Sequence, residues 1–300
     1  MAIDDSKQNI AIVTDSTADI PKELIKENDI TVVPMYIIVE DQAYKEGVNI
    51  TTTEVLTALK EGKTIKTSAP SVGDFIEVFR YLINEKKKNI IYFLGLSSHL
   101  SSTINASIIA SKSFPDVKIK IIDTKNVTIS MGFIAMEAAR AVLRGRQEQE
   151  IDSLISILMK RNRFFATIDN FSYLFKGGRA PFLGKFLNMV AIFKPILTLT
   201  NNGKVSLKKM TRNREKAFTG IYNLIRNEAK QNERCRIGIF YGEDIKPALK
   251  LRDMITQDKS IKIDEMIVTE ITTIMSAHTG PDIWGISYSP VIEDSMLHVN

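Results

Sequence analysis

One cysteine in 300 residues, Cys235, rules out an internal disulfide and any cysteine-built metal cage. It stands in a stretch that predicts a buried strand, so it reads as a small core residue. Histidine is nearly as scarce: His99, His278 and His298 are the whole supply, and no two of them have the helical spacing of a metal-binding pair. No apolar run reaches the length of a membrane-spanning helix. The start, Met1-Ala2-Ile3-Asp4-Asp5, has neither the basic opening nor the apolar stretch of a secretory signal, and a cytoplasmic protein is expected. No Gly-x-Gly-x-x-Gly follows the first strand-like run, which leaves a dinucleotide without a seat. Gly178 to Phe186 imitates a phosphate-binding loop but has one residue too many between its glycines. It also puts Phe186 where a hydroxyl must hold magnesium. Internal repeats and low-complexity tracts are missing as well.

What is present is ordinary in amount and uneven in place. With 44% apolar and 25% charged residues over 300 positions, the chain has enough material for two globular domains. The net charge is +5, yet Asn201 to Arg236 alone holds ten Lys or Arg against three Glu. Apolar runs at Ile10–Val13, Ile30–Val39, Ile90–Leu96 and Val117–Asp123 alternate with helical patterns near Pro21, at Asp74–Glu85, Thr103–Ser113 and Met131–Leu143. This succession predicts a mostly parallel sheet covered on both faces. Pro34 interrupts the second run and implies an edge or a bend. Ser71, three places before Asp74, is a natural helix cap, and Gly145 ends the helix that runs to Leu143.

After a further helix at Ile151–Lys160 the pattern changes. Phe164–Ile168 reads as a strand, Phe182–Phe193 as an apolar helix, and Asn201-Asn202-Gly203 between Pro195–Thr200 and Lys204–Met210 as a hairpin. Helices at Arg214–Lys230 and Pro247–Ile255 alternate with strands at Arg236–Tyr241 and Ile263–Thr269. The expected fold class is therefore α/β, with an N-terminal mostly parallel α/β/α domain over residues 1–160 and a C-terminal α+β domain with antiparallel strands over 161–300.

Two hydroxyl-rich segments carry the chemistry: Lys66-Thr67-Ser68-Ala69-Pro70-Ser71 and Ser97-Ser98-His99-Leu100-Ser101-Ser102-Thr103. The second follows a buried-strand pattern, at the carboxyl end where open α/β sheets bind ligands. Capping a helix takes one hydroxyl, whereas Ser97 to Thr103 offers five in seven positions, and a bound carboxylate or phosphate accounts for the surplus. A serine hydrolase or acyltransferase is the rival, with Ser97, Ser98 or Ser101 activated by His278 or His99 and oriented by Asp123 or Asp15. Gly95-Leu96-Ser97-Ser98-His99 begins like a nucleophile elbow but lacks its second glycine. The block Lys204, Lys208, Lys209, Arg212, Arg214 and Lys216 suits a solvated or docking face better than nucleic acid, because no binding motif or interleaved aromatics accompany it.

These segments, taken in order, resemble the DegV family of fatty-acid-binding proteins: Thr14-Asp15-Ser16-Thr17-Ala18-Asp19, Thr67-Ser68-Ala69-Pro70-Ser71, Ser97 to Thr103, Asp123-Thr124-Lys125, Tyr173 to Arg179, Lys194-Pro195-Ile196, and Ala277-His278-Thr279-Gly280-Pro281. The resemblance runs over nearly the full length. It implies two α/β domains with one long-chain fatty acid between them, the carboxyl group held by Thr67, Ser68 and Ser101, with Ser98 alongside and His278 near the head group. No catalytic residue, metal or cofactor is implied; the fatty acid is the ligand. The family is also similar to carrier subunits of bacterial fatty-acid kinases, which present the acid to a separate kinase and pass the acyl phosphate toward phospholipid metabolism. By that likeness Arg179 and Arg212 lie on the kinase-docking or phosphoryl-transfer face, and the acid is exchanged in transient contact with a membrane. Ser102 replaces a usual glycine, and Asp282 and Trp284 stand where small residues are common; all three bear on pocket width. The apolar helix Phe182–Phe193 with Phe164, Phe165 and Phe171 is a candidate tail lining, with plain core as the alternative.

Overall fold

Strands β1 (Ile10–Asp15) and β6 (Ile90–Gly95) are buried at every residue, the pattern of central strands in a parallel sheet covered on both faces. They form the middle of a four-stranded parallel sheet in the order β2-β1-β6-β7, flanked by β2 (Ile30–Val33) and β7 (Lys118–Asp123). This is a computed structural model, and it describes residues 9–169, 172–180, 193–229 and 234–297. Val13, Ile91 and Phe93 face α3 (Val72–Asn84) and α4 (Thr103–Ser111), while Ile12, Tyr92 and Leu94 face α5 (Thr128–Leu143), as the two-residue period of a strand requires. Helix α3 opens on the expected cap: Ser71 and Asp74 form a reciprocal capping box.

Pro34 separates strands that belong to different sheets. After it, β3 (Tyr36–Val39) pairs antiparallel with β4 (Gln42–Lys45) and with β5 (Ile65–Ser68) in a three-stranded sheet of order β4-β3-β5. The hydroxyls of Thr67 and Ser68 are thus held by a strand. Helices α1 (Lys22–Glu27) and α2 (Thr52–Lys60) complete this half, and α6 (Glu148–Arg161) follows α5.

The second half is a six-stranded mixed sheet, β10-β9-β8-β13-β11-β12, built from β8 (Arg163–Thr167), β9 (Lys194–Leu199), β10 (Val205–Thr211), β11 (Arg234–Tyr241), β12 (Lys262–Glu270) and β13 (Trp284–Pro290). Only the β11–β12 pair is parallel, in agreement with the expected α+β character. Short α7 (Ser172–Lys176) and α10 (Thr273–Thr279) lie near the first half, while α8 (Arg214–Ala229) and α9 (Lys246–Gln257) cover the outer face. There Phe218 stacks on Trp284, ring centroids 4.1 Å apart. Trp284 is therefore core, buried in the cluster beneath α8 and α9.

Helix α5 joins the halves. Thirteen of its sixteen residues are buried, more than a helix lying on one sheet achieves, because it touches β1, β2 and β6 on one side and β11 and β13 on the other. The six-stranded sheet admits it by presenting small residues, Gly238, Ser287 and Ser289; a Cβ on Gly238 would stand 2.5 Å from Ile129.

Candidate functional site

The carboxyl end of β6, the strand β5 and the helix α10 converge on a cavity of about 230 Å³. Its walls are apolar over most of their extent, including Leu96, Val127, Phe164, Leu197, Leu199 and Ile274, and polar at one end, where Thr67, Ser68, Ser101, Arg179 and His278 gather. Thr67 Oγ1 lies 2.7 Å from His278 Nε2, a contact across 211 residues of sequence. Arg179 donates from Nε to the Leu100 carbonyl at 3.2 Å and from Nη1 to Gly177. Burial, reinforced by the charge of Arg179, pushes His278 down to about 4, so its imidazole is neutral at pH 7. Its Nδ1 is buried, has no partner among the described residues, and faces Gly177, where a Cβ would come within 2.7 Å of it. The polar part of the cavity wall is thus made of hydroxyls, a neutral ring and one exposed guanidinium.

Three buried acids lie behind the cavity, and two of them, Glu46 and Asp19, set the position of α10. Glu46 Oε1 accepts from the Ile274 amide at 2.9 Å and from the Thr273 hydroxyl, and Glu46 Oε2 accepts from Ser16. Asp19 accepts from the Thr272 amide at 2.9 Å, and Asp15 from the amides of Thr17 and Leu96, both at 3.0 Å. Burial raises all three carboxyl groups: Asp15 to about 6, Asp19 well above its ordinary value, and Glu46 upward, with further repulsion from Glu46 acting on Asp15 and Asp19. The sequence motif Thr14 to Asp19 thereby serves to fix the helix that carries His278.

Ser97 is occupied elsewhere. Its Oγ donates to the Gly203 carbonyl at 2.9 Å and pins the β9–β10 hairpin onto the first half. Gly203 is required twice over, by φ +80° and by an approach that would put a Cβ 2.2 Å from Ser97 Oγ. Ser98 falls outside the cavity lining: it is exposed, its amide donating to Asp123 at 3.2 Å and its hydroxyl accepting from Lys125 at 3.4 Å. The turn that follows β6 points it to solvent. Arg212, just past β10, is exposed and does not line the cavity. Ser101 shares a 2.8 Å bond with Thr103 at the start of α4. The triad considered from the sequence is not assembled, since His278 engages Thr67, and Asp15 and Asp123 hold backbone amides instead of a histidine. Phe164 lines the cavity, whereas Phe165, its neighbour on the strand, faces α8 and belongs to the outer core. Phe171 and Phe182 to Ile192 lie outside the described residues.

Sequence reasoning missed the hairpin's part in the cavity. Leu197, Leu199 and Val205 all line it, and the signal was the alternation of Leu197 and Leu199 before the turn. Among the described residues no group of three His, Cys, Asp or Glu is placed to hold a metal ion, and no helix is long and apolar enough to cross a membrane.

A family model described as "Uncharacterised protein, DegV family" matches residues 9–291. The chain belongs to the DegV family. A DegV domain-containing protein of Caldanaerobacter subterraneus is 29% identical over 287 residues, covering 94% of this chain and 99% of its own. Among solved structures, a DegV family protein of Thermus thermophilus, described by its fatty-acid binding, superimposes with a TM-score of 0.89 at 26% identity over 94% of this chain and 100% of that one. DegV of Bacillus subtilis, described as a fatty acid binding protein, shares the fold with a TM-score of 0.84 at 23% identity, over 95% of this chain and 100% of that one. The DegV fold thus accounts for both sheets.

Proposed function

We propose that this DegV protein binds one long-chain fatty acid between its two lobes, residues 1–160 and 161–300, and acts as a cytoplasmic, non-catalytic carrier. The observation that carries this is the cavity itself: lined mostly by apolar side chains, with Thr67, Ser68, Ser101 and His278 gathered among them. Each methylene taken from water contributes about 0.8 kcal/mol, so the tail supplies most of the affinity and the hydroxyls set its direction. Neutral donors accept a carboxylate or an acyl phosphate alike, without the desolvation cost of a buried lysine. A groove with Lys63, Lys66, Arg179 and His278 among its walls opens outward from the same end. This supports presentation of the head group to a separate fatty-acid kinase, with Arg179 at the transfer point; Arg212 on the docking face and loading through transient contact with a membrane complete the proposal.

Native mass spectrometry of freshly purified protein is expected to show one bound long-chain acid, and a clean apo mass under gentle conditions counts against the proposal. Thr67→Val is expected to weaken binding by about 1–3 kcal/mol, since it removes a half-buried head-group partner and leaves His278 without its hydroxyl. It is a cleaner test than Ser101→Ala, because Ser101 also supports the start of α4 through Thr103. With a partner kinase and ATP, acyl-phosphate formation is expected to fall about a hundredfold in Arg179→Ala, the scale of losing one charge-stabilising donor. Undiminished turnover in that variant removes Arg179 from the transfer point.

A further inference from the structure

The cavity's walls are shared with other grooves, and the sharing gives it two distinct ends. Thr67, Arg179 and His278 also line the outward groove at the head-group end. Phe164 and Leu199 also line a polar groove of about 240 Å³, whose other walls include Lys125, Lys160, Arg163 and Lys208. At that second end the partition between apolar cavity and polar exterior is a single layer of side chains. Phe164 is held firmly: its ring stacks on Phe240 with centroids 5.3 Å apart, and its carbonyl accepts from Thr198 Oγ1 at 2.9 Å. Leu199 ends β9 opposite Val205, and the turn beyond it is pinned by the Ser97 to Gly203 bond.

We propose that Phe164 and Leu199 form the length stop of the acyl cavity and so decide which fatty acids this protein prefers. The inference rests on the fatty-acid reading above. A tail that ends short of the pair leaves wall atoms without contacts; a tail that passes it enters a groove of lysines and arginine, where further methylenes gain no dry surface. Affinity therefore rises with chain length up to the wall and stops rising there. Leu199, half-buried at a strand end, is the more accessible member of the pair, while Phe164 is packed in the sheet.

The test titrates delipidated protein with saturated fatty acids of increasing even chain length, read by native mass spectrometry in pairwise competition. Wild-type affinity is expected to climb by about fourfold per methylene and then level off. Leu199→Ala is expected to move that limit to longer acids, and Leu199→Trp to shorter ones. Opposite shifts cannot come from loss of folding, and both variants are expected to melt close to wild type because the position is partly open. Thr67→Val is expected to lower affinity for all lengths while leaving the limit in place. An identical limit in wild type and both Leu199 variants overturns the length stop and leaves fatty-acid binding standing. Failure of the wild type to bind any acid overturns the fatty-acid reading, and the stop with it.

Discussion

Glu137→Ala is expected to destabilise the protein by about 3–5 kcal/mol, the cost of leaving a buried cation unpaired. Glu137 is 5% exposed on α5, and its two oxygens serve different arginines: Oε2 lies 2.8 Å from Arg236 Nη2 on β11, and Oε1 lies 2.8 Å from Arg140 Nη1 on α5 itself. The arginines are not equally dependent on it. Arg140 keeps a two-pronged bond to Glu265, at 2.7 and 2.8 Å, and that bond with Glu137 holds its guanidinium charged more firmly than usual. Arg236 is also 5% exposed; its Nε and Nη1 make no hydrogen bond among the described residues, and burial weakens its hold on the proton. Its remaining acids are more distant, Glu265 at 3.5 Å and Asp264 at 3.8 Å. Removing Glu137 thus strands Arg236 at the contact between α5 and the six-stranded sheet. Chemical denaturation checks this, and the double variant Glu137→Leu with Arg236→Met discriminates the cause: it is expected to recover most of the loss, because two apolar side chains replace the pair without leaving a charge behind. A double variant as unstable as the single one means the penalty is packing and not charge.

The parts of the fold legible in the sequence are those where one residue type answers one physical demand. Ile10–Val13 and Ile90–Leu96 read as buried strands because both of their faces are covered, so no polar residue interrupts them. Asn201-Asn202-Gly203 read as a turn because Gly203 adopts a positive φ. Strand β13, in contrast, went unread although it lies between β8 and β11. Its sequence, Trp284-Gly285-Ile286-Ser287-Tyr288-Ser289-Pro290, alternates correctly, but the positions toward α5 are Gly and Ser, since the helix lies too close for larger ones, and Gly, Ser and Pro read locally as loop. The same tertiary demand hid α10, whose anchors Asp19 and Glu46 lie more than two hundred residues upstream. At the site, Thr67, Ser68, Ser101, Arg179 and His278 line one cavity. No spacing rule could have joined Thr67 to His278. Ser97 and Ser98 stand beside them in sequence but have other work, because a tight turn sends successive hydroxyls in different directions: one to the hairpin, one to solvent, one to the cavity.

Lowering the pH from 7 toward 4 is expected to cost the delipidated protein roughly 3 kcal/mol through His278 alone. In the fold its imidazole is held down to about 4 by burial and then by the charge of Arg179; in the unfolded chain it titrates at the ordinary 6.5. Between those values the unfolded chain takes up a proton that the native state refuses. The stabilisation is therefore whole above pH 6.5 and is lost as pH falls toward 4. Asp15, Asp19 and Glu46 act in the opposite sense: their native values are raised, so their contribution is whole in acid and is lost as pH rises through the native values, about 6 for Asp15. The bare pH profile mixes the two, and only the difference between wild type and His278→Gln, followed by urea unfolding from pH 4 to 8, isolates the histidine. Gln keeps a hydrogen-bonding partner for Thr67 and cannot titrate. A difference that stays flat over that range sinks the assignment. The same linkage reaches the ligand: a carboxylate seated beside Thr67 and His278 favours the protonated ring, so acid binding is expected to draw a proton from solution near pH 6, and the fatty-acid-loaded protein to lose less stability on acidification than the empty one. Calorimetry in buffers of different ionisation heat reads that proton directly, and its disappearance in His278→Gln ties the effect to the head-group end of the cavity.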